Sequence, residues 1–156
     1  LVTDEIVIAL IAEKLDDGTA GGFIFDGFPR TLAQADALGF LLASKGTSLD
    51  HVVQMQVDDE ALVRRVTARS ACGSCGEGYN DISKAVPSNG NCLQCGSSNF
   101  IRRSDDNEDS LRTRLMAYYK ETSPLIGYYH AKGILSSVNG LDEITQVQSS
   151  ISEVLG

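Results

Sequence analysis

Basic residues and long apolar runs are both scarce in this sequence, and each shortage limits what the protein can bind. It has no tryptophan, aromatic residues make up 6% of it, and its 13 lysines and arginines are outnumbered by 21 aspartates and glutamates, a formal net charge of −8. Nucleic acids and anionic membranes attract basic surfaces. No apolar run is long enough to span a bilayer. We therefore expect neither a nucleic-acid partner nor a membrane.

The chain nevertheless has the composition of a folded protein. Its 156 residues are 42% apolar and 22% charged, which is typical of one ordinary domain or of a core with one small inserted domain. No cationic and apolar leader opens it, and we expect a cytoplasmic protein. Because Leu1 is not a methionine and runs straight into a helical pattern, we also expect that an N-terminal part is missing.

Strand and helix patterns alternate along most of the chain. Helical spacing of apolar residues, with Thr3 and Asp58 as N-caps, predicts helices over 3–15, 31–44, 58–69, 108–131 (broken at Pro124) and 141–155. Short apolar runs predict strands over 22–26, 51–57 and 134–138. This alternation indicates an α/β fold with a parallel sheet flanked by helices. Residues 70–100, rich in Gly, Ser and Asn, have no helical period and predict a small inserted domain.

Four cysteines lie in that insert as two CxxC pairs separated by sixteen residues: Cys72, Cys75, Cys92 and Cys95. A glycine follows each pair, where it lets backbone amides turn toward a thiolate. This spacing is typical of a structural zinc site, whose metal would supply the folding free energy of a segment with few apolar groups. Two disulfides, a redox CxxC or an iron site are the alternatives.

Arginine is concentrated around the insert: seven of the eight arginines fall between positions 64 and 114. Arg65 and Arg69 share a helix face that leads into the insert, and Arg103 and Arg114 follow it. Guanidinium groups bind both phosphate and carboxylate. One interpretation is therefore a phosphate site, and the alternative is a set of solvated helix faces whose arginines pair with nearby carboxylates. If the insert folds over like a flap, these four arginines converge in an arrangement that suits phosphoryl transfer.

A second candidate segment covers residues 25–30, Phe-Asp-Gly-Phe-Pro-Arg. Asp26, at the end of the predicted strand, can hold water on a metal ion, and Arg30 can extend into the same crevice, where α/β folds bind ligands. The alternative is a tight strand-to-helix turn. Gln34 also has two interpretations, because Thr31-x-x-Gln34 is a capping box and a side-chain amide can equally read the edge of adenine.

These segments together resemble the adenylate kinase family. Residues 25–30, the double CxxC insert, residues 103–106 (Arg-Ser-Asp-Asp) and residues 124–129 (Pro-Leu-Ile-Gly-Tyr-Tyr) carry the resemblance, which covers the whole chain. It implies a P-loop NTPase-like sheet with a zinc-ribbon-like lid, as in the long bacterial form. The expected domains are a core over 1–63, which begins with the tail of the AMP-binding segment at 1–9, a lid over 64–107, and the rest of the core over 108–156.

The resemblance also implies an activity and a set of site residues. The reaction would be reversible phosphoryl transfer from MgATP to AMP, giving two ADP, by a monomer with structural Zn²⁺. Expected at the AMP site are Leu1, Val2, Gly27, Phe28, Pro29, Arg30, Gln34, Arg103 and Arg114. Expected at the ATP site are Arg65, Arg69, Gly78, Tyr79 and Asp142. Arg30 and the four arginines beside the insert would be catalytic, Asp26 would orient waters on Mg²⁺, and Asp105 and Asp106 would latch the lid.

The sequence departs from the family pattern at one point. The family opens on a phosphate loop, G-x-x-x-x-G-K-[ST], on its first strand, and this chain has none; Lys45-Gly46-Thr47 lacks the order and follows a helix. We expect the chain alone to be inactive and to fold poorly, and the parent protein to be an active kinase. The alternatives are a kinase for another nucleoside monophosphate, and a zinc-ribbon binding or scaffolding module on a degenerate α/β core.

Overall fold

The computed structural model of the protein describes residues 3–18 and 21–156. Its helices are α1 (Asp4–Asp16), α2 (Leu32–Ser44), α3 (Asp59–Thr67), α4 (Glu108–Ala117), α5 (Pro124–Ala131) and α6 (Ile144–Leu155). Its strands are β1 (Val52–Gln56), β2 (Arg69–Cys72), β3 (Gly78–Asn80), β4 (Phe100–Ile101) and β5 (Leu135–Asn139). No helix among the described residues has the length and apolar character needed to cross a membrane.

The chain divides into two compact units. The first comprises the residues up to Met55 together with Ala117–Val138 and Glu143–Gly156. The second comprises Gln56–Met116 and Asn139–Asp142. The predicted lid, residues 64–107, lies wholly within the second unit, and its boundaries stay a prediction.

The first unit has a helix-on-sheet core. Ala35 on α2 packs with Leu125 and Tyr129 on α5. The partly buried side chains around them come from α5 itself, from both strands and from the loops before them: Tyr128, Val52, Leu135, Leu49 and Ile134. Burying such apolar surface contributes about 25 cal/mol per Å², so this cluster holds α2 and α5 against the sheet.

The sheet of the first unit pairs β1 with β5. The Val52 amide donates to the Ile134 carbonyl at 2.9 Å, and the Gly140 amide donates to the Gln56 carbonyl at 2.8 Å. Both partners advance in the same direction, so the two strands are parallel. The alternation of strands and helices in the sequence therefore predicted the right fold class.

The second unit contains a three-stranded antiparallel sheet in the order β3-β2-β4. Its buried cluster is Cys72, Tyr79 and Cys92, with Val86 and Phe100 packed against it. Two of the three buried residues are cysteines, so this small sheet has little apolar interior of its own. A segment built this way depends on a cross-link or a metal for its stability.

Most helix boundaries follow the sequence signals. The Thr31 hydroxyl accepts from the Gln34 amide at 3.2 Å and caps α2, and the Asp58 carboxylate accepts from the Ala61 amide at 2.9 Å and caps α3. Thr3 makes no side-chain cap bond. Pro124 begins α5 after the π-helical turn Tyr118–Thr122, because proline lacks the amide that an uninterrupted helix needs.

The strand predicted over residues 22–26 is not formed. A strand exists only when its amides and carbonyls pair with a neighbour, and among the described residues no backbone hydrogen bond reaches this segment. The Phe23 and Phe25 rings stack at 6.4 Å, while Ile24 is 91% exposed. The apolar run thus indicated the composition of a strand but not its pairing.

Candidate nucleotide site and cysteine cluster

Each CxxC pair forms a tight turn, and the two turns use the same hydrogen bonds. The amides of Gly76 and Gly96 donate to the carbonyls of Cys72 and Cys92, at 2.9 Å and 2.8 Å. Both glycines have a positive φ, +78° and +74°, a conformation that residues with a Cβ rarely adopt. The positive φ values explain why glycine occupies both positions.

The two turns bring all four sulfur atoms together, within 4.8 Å of one another. The Sγ atoms of Cys72 and Cys95 lie 3.6 Å apart, as do those of Cys75 and Cys92. Four thiolates at about 2.3 Å from a tetrahedral zinc ion lie roughly 3.8 Å from each other. The geometry therefore fits a metal site with four cysteine ligands, and none of the four is disulfide-bonded.

Tyr79 supports this cluster from within the small sheet. Its hydroxyl donates to the Cys92 Sγ at 3.3 Å and accepts from the Leu93 amide at 2.8 Å. The ring is 3% exposed and meets Phe100 edge-on, with centroids 5.2 Å apart. The hydrogen bond from Tyr79 lowers the pKa of the Cys92 thiol to about 6, so this sulfur favours the thiolate form that binds metal.

Three of the predicted phosphate-binding arginines are linked through two adjacent carboxylates. Arg69 donates to Asp106 at 2.7 Å, and the Asp106 side chain is only 2% exposed. Arg103 and Arg114 share Asp105, at 3.3 Å and 3.6 Å. All five residues belong to the second unit, so the structure brings together side chains that are as much as 45 positions apart in sequence.

Arg65 lies on α3, whereas Arg69 begins β2 after the helix ends at Thr67, so the helix face predicted to carry both arginines is not formed. Arg65 also has a different partner. Its guanidinium donates to the Gly140 carbonyl at 3.2 Å. The Gly140 loop is held in turn by Asn139, which donates to the Asp142 carboxylate at 2.7 Å and accepts from the Leu141 amide at 3.1 Å. Arg65 is thereby fixed beside the loop that contains Asp142.

The segment before α2 folds back on itself around Arg30. Gly27 has a φ of +73°, the Phe28–Pro29 peptide bond is cis, and the Arg30 Nε donates to the Gly27 carbonyl at 2.7 Å. A Cβ at position 27 would meet the Arg30 Nη2 at 3.0 Å. From the other side, Thr122 donates its hydroxyl to the Arg30 carbonyl at 2.8 Å.

Gln34 lies in the first turn of α2, and its side chain both donates and accepts a hydrogen bond. Its Oε1 accepts from the Arg30 amide at 2.7 Å, and its Nε2 donates to the Asp4 carboxylate at 2.8 Å. Thr31 caps the helix through the Gln34 backbone, but the Gln34 side chain bonds to Arg30 and not to Thr31. The capping box is therefore half formed.

Comparisons with known proteins identify the family. The family model described as adenylate kinase matches residues 1–134. The chain is 58% identical over 155 residues to the adenylate kinase of Paracoccus denitrificans (strain Pd 1222), a match that covers 99% of this chain and 71% of that protein. The chain belongs to the adenylate kinase family. Its match to the adenylate kinase of Magnetococcus marinus, 47% identical over 157 residues, covers 100% of this chain and 73% of that protein.

A third adenylate kinase, from Allorhizobium ampelinum, is 54% identical over 156 residues, covering 99% of this chain and 72% of its own length. The resemblance that we drew from the sequence motifs is thus confirmed. The membership extends across the insert that contains the cysteines. The roles of individual residues in this adenylate kinase chain stay predictions.

The remaining predicted site residues are placed as follows. Asp26 is exposed, and its carboxylate makes no hydrogen bond or ion pair within residues 3–18 and 21–156. Gly78 begins β3, next to the buried Tyr79 ring. Phe28 and Pro29 are partly buried. Leu1 and Val2, expected at the AMP site, lie outside the described residues.

Three residues with notable contacts were missed in the sequence. Asp4 lies in the first turn of α1 and bonds to Gln34, Thr122 is 92 positions from its partner Arg30, and Arg102 binds Asp81 at 2.6 Å and the Thr67 carbonyl at 2.9 Å. Each pairing joins distant segments, so only folding reveals it. An acidic residue in the first turn of α1 was the one available signal for Asp4.

Proposed function

We propose that this protein is a nucleoside monophosphate kinase that transfers a phosphoryl group reversibly between MgATP and AMP, giving two ADP. Membership of the adenylate kinase family supports the reaction class. The observation that carries the residue assignment is the group of three guanidiniums, Arg69, Arg103 and Arg114, joined through Asp105 and Asp106.

The carboxylates hold these arginines in place, and phosphate oxygens can replace the carboxylate oxygens. The side chains of Arg103, Arg114 and their shared partner Asp105 are 70%, 61% and 46% exposed, and exposed ion pairs contribute only about 0–1 kcal/mol each. Arg69 is 44% exposed but its partner Asp106 is only 2% exposed, so that pair is not a surface ion pair. A polyphosphate presents several charged oxygens at once and forms bidentate bonds with guanidinium groups. Phosphoryl transfer needs mainly such positioning and neutralisation of charge.

We assign the residues of the two nucleotide sites within each unit separately. In the first, Arg30 binds the AMP phosphate, Gln34 reads the adenine edge, and Gly27, Phe28 and Pro29 line the site. In the second, Arg65 and Arg69 bind ATP phosphates, and Gly78, Tyr79 and Asp142 border that nucleotide. Tyr79 is only 3% exposed, so its side chain is buried and this residue borders the nucleotide through its backbone. Asp26, whose carboxylate has no partner among the residues that the structure describes, orients waters on the Mg²⁺ that accompanies ATP.

The cysteine cluster has a structural role in this proposal. Four thiolates fill the coordination sphere of a zinc ion and leave no open position, so the metal when bound supplies folding free energy and no chemistry. Residues 64–107 act as the lid that shields the reaction from water. We expect the protein to be a monomer.

A steady-state assay tests the proposal. ADP formation is followed in the full-length protein with ATP and with AMP, CMP, UMP or GMP as acceptor, together with variants Arg69→Ala and Arg103→Ala. We expect AMP to be the preferred acceptor and each variant to lower kcat by about 100-fold or more, because each removes a donor to the transferring charge.

Arg112→Ala is the matched control. Arg112 lies in the same unit but binds Glu60 at 2.9 Å and Glu108 at 2.8 Å, away from the Asp105–Asp106 pair. Its removal should leave kcat within about twofold of the unmodified protein. No turnover with any monophosphate, with zinc still bound, would favour the scaffolding alternative; equal losses in all three variants would refute the residue assignment.

A further inference from the structure

The side-chain amide of Gln34 is held by two groups of opposite character. The Arg30 backbone amide donates to Oε1 at 2.7 Å, and the Asp4 carboxylate accepts from Nε2 at 2.8 Å. A peptide N–H can bond only to the amide oxygen, and a carboxylate only to the amide nitrogen. Rotating the amide by 180° would lose both bonds and place Oε1 against a negative charge.

This arrangement leaves a defined hydrogen-bonding capacity. A primary amide has two N–H donors and two acceptor positions, and within the described part of the chain Gln34 uses one of each. One donor and one acceptor remain. A 6-aminopurine presents a donor at N6 and an acceptor at N1, which the remaining pair matches. A 6-oxopurine presents an acceptor at O6 and a donor at N1, which a rotated amide would match equally well.

The orientation of the amide therefore decides which purine is accepted. We propose that Asp4 is a positioning residue that fixes the Gln34 amide in the orientation that selects a 6-aminopurine monophosphate over a 6-oxopurine monophosphate. The inference rests on the proposed function of Gln34 and adds a residue from α1, thirty positions away. It explains why a residue outside the segment that lines the site bonds to a recognition side chain.

Asp4 also has a purely structural contribution that must be separated from this role. With Glu5 it places negative charge in the first turn of α1, where it interacts favourably with the helix dipole. Glu5 interacts with its own backbone amide and with Thr3, and it has no bond to Gln34. Replacing Glu5 thus removes the same charge from the same turn and serves as the matched control.

The experiment compares Asp4→Leu, Asp4→Asn and Glu5→Leu in the full-length protein. Values of kcat and KM are measured for AMP and for IMP. For Asp4→Leu we expect KM for AMP to rise with kcat within about twofold, and the ratio of kcat/KM for AMP over IMP to fall by about tenfold, because a site that no longer orients its polar group discriminates less. Asp4→Asn, which keeps an acceptor oxygen, should retain most of the ratio.

Two outcomes would overturn the inference: an unchanged AMP-to-IMP ratio in Asp4→Leu, or an equal fall in Glu5→Leu. A second measurement needs no turnover. The side-chain amide resonances of Gln34 in the nucleotide-free protein should shift in Asp4→Leu and stay in place in Glu5→Leu. If the unmodified protein fails to use AMP, the proposed function fails, and the resonances still decide whether Asp4 orients the amide.

Discussion

The hydroxyl of Tyr79 donates to the Cys92 Sγ across 3.3 Å while it accepts from the Leu93 amide at 2.8 Å. One buried phenol thus joins β3 to the second CxxC turn and stabilises negative charge on a sulfur that is a candidate metal ligand. Partners of metal ligands commonly affect metal affinity as strongly as some ligands do.

Tyr79→Phe keeps the ring packing and removes only this bond. We expect zinc affinity to fall by about 10-fold to 100-fold, measured by competition with a chromogenic chelator. The control is Tyr128→Phe, which loses a hydrogen bond of 2.7 Å to Asp36 in the other unit and should leave zinc affinity unchanged. A Tyr79→Phe protein that binds zinc as tightly as the unmodified protein would contradict the prediction.

Removing the metal should unfold the small sheet selectively. The buried cluster there is Cys72, Tyr79 and Cys92 with two partly buried neighbours, too little apolar surface to hold three short strands. Treatment with a chelator should lower Tm and abolish amide protection in residues 69–101, measured by hydrogen exchange, and added Zn²⁺ should restore both. Unchanged protection in the metal-free protein would show that the sheet is stable without a metal.

Tyr129 predicts a response to alkaline pH. Burial raises the pKa of this phenol to about 12, above its value of roughly 10 in an unfolded chain. The native state therefore holds the proton more tightly, and its stability should fall as pH rises from about 10 to about 12. Urea unfolding of the unmodified protein and of Tyr129→Phe should show this loss in the former only.

The same variant should be more stable even at neutral pH. Within the described residues the Tyr129 hydroxyl has no hydrogen-bond partner, and an unsatisfied buried polar atom costs about 1–3 kcal/mol. We expect Tyr129→Phe to gain about 1 kcal/mol in the free energy of unfolding at pH 7. Tyr128→Phe, which breaks a formed bond, should lose stability; a loss in both variants would show that the Tyr129 hydroxyl is satisfied.

Two glycines should respond oppositely to alanine. Gly76 has a φ of +78° in the first CxxC turn, so Gly76→Ala should destabilise by about 1–2 kcal/mol. Gly39 lies within α2, and a Cβ there meets nothing within 4 Å, so Gly39→Ala should stabilise by about 0.5–1 kcal/mol. Chemical unfolding monitored by circular dichroism measures both, and a gain at position 76 would refute the assigned turn.

The sequence predicted those parts of the fold and site that depend on local chemistry. The CxxC spacing, the glycine after each pair and the caps Thr31 and Asp58 are all short-range signals. The structure brings the four sulfur atoms together, gives both glycines a positive φ and forms both caps. Residues 22–26 illustrate the limit, since an apolar run predicts a strand only if a partner lies beside it. The Tyr79–Cys92 and Asp4–Gln34 hydrogen bonds could not be predicted from sequence either, because each joins two segments that only folding brings together.

Family membership predicts more of the site than residue spacing alone does, but it does not predict every contact. The arginine cluster could be placed beside the insert from sequence, whereas its pairing with Asp105 and Asp106 could not, because solvated arginines and paired arginines have the same composition. Gln34 was left with two interpretations. Its side chain bonds to Arg30 and Asp4, so the capping box no longer accounts for it.

The carboxylates of Asp105 and Asp106 act as counter-ions that the chain carries with it. Three guanidinium groups are matched by two carboxylates, which leaves a local surplus of one positive charge. Under the proposed function, phosphate oxygens of a bound nucleotide replace carboxylate oxygens at these arginines.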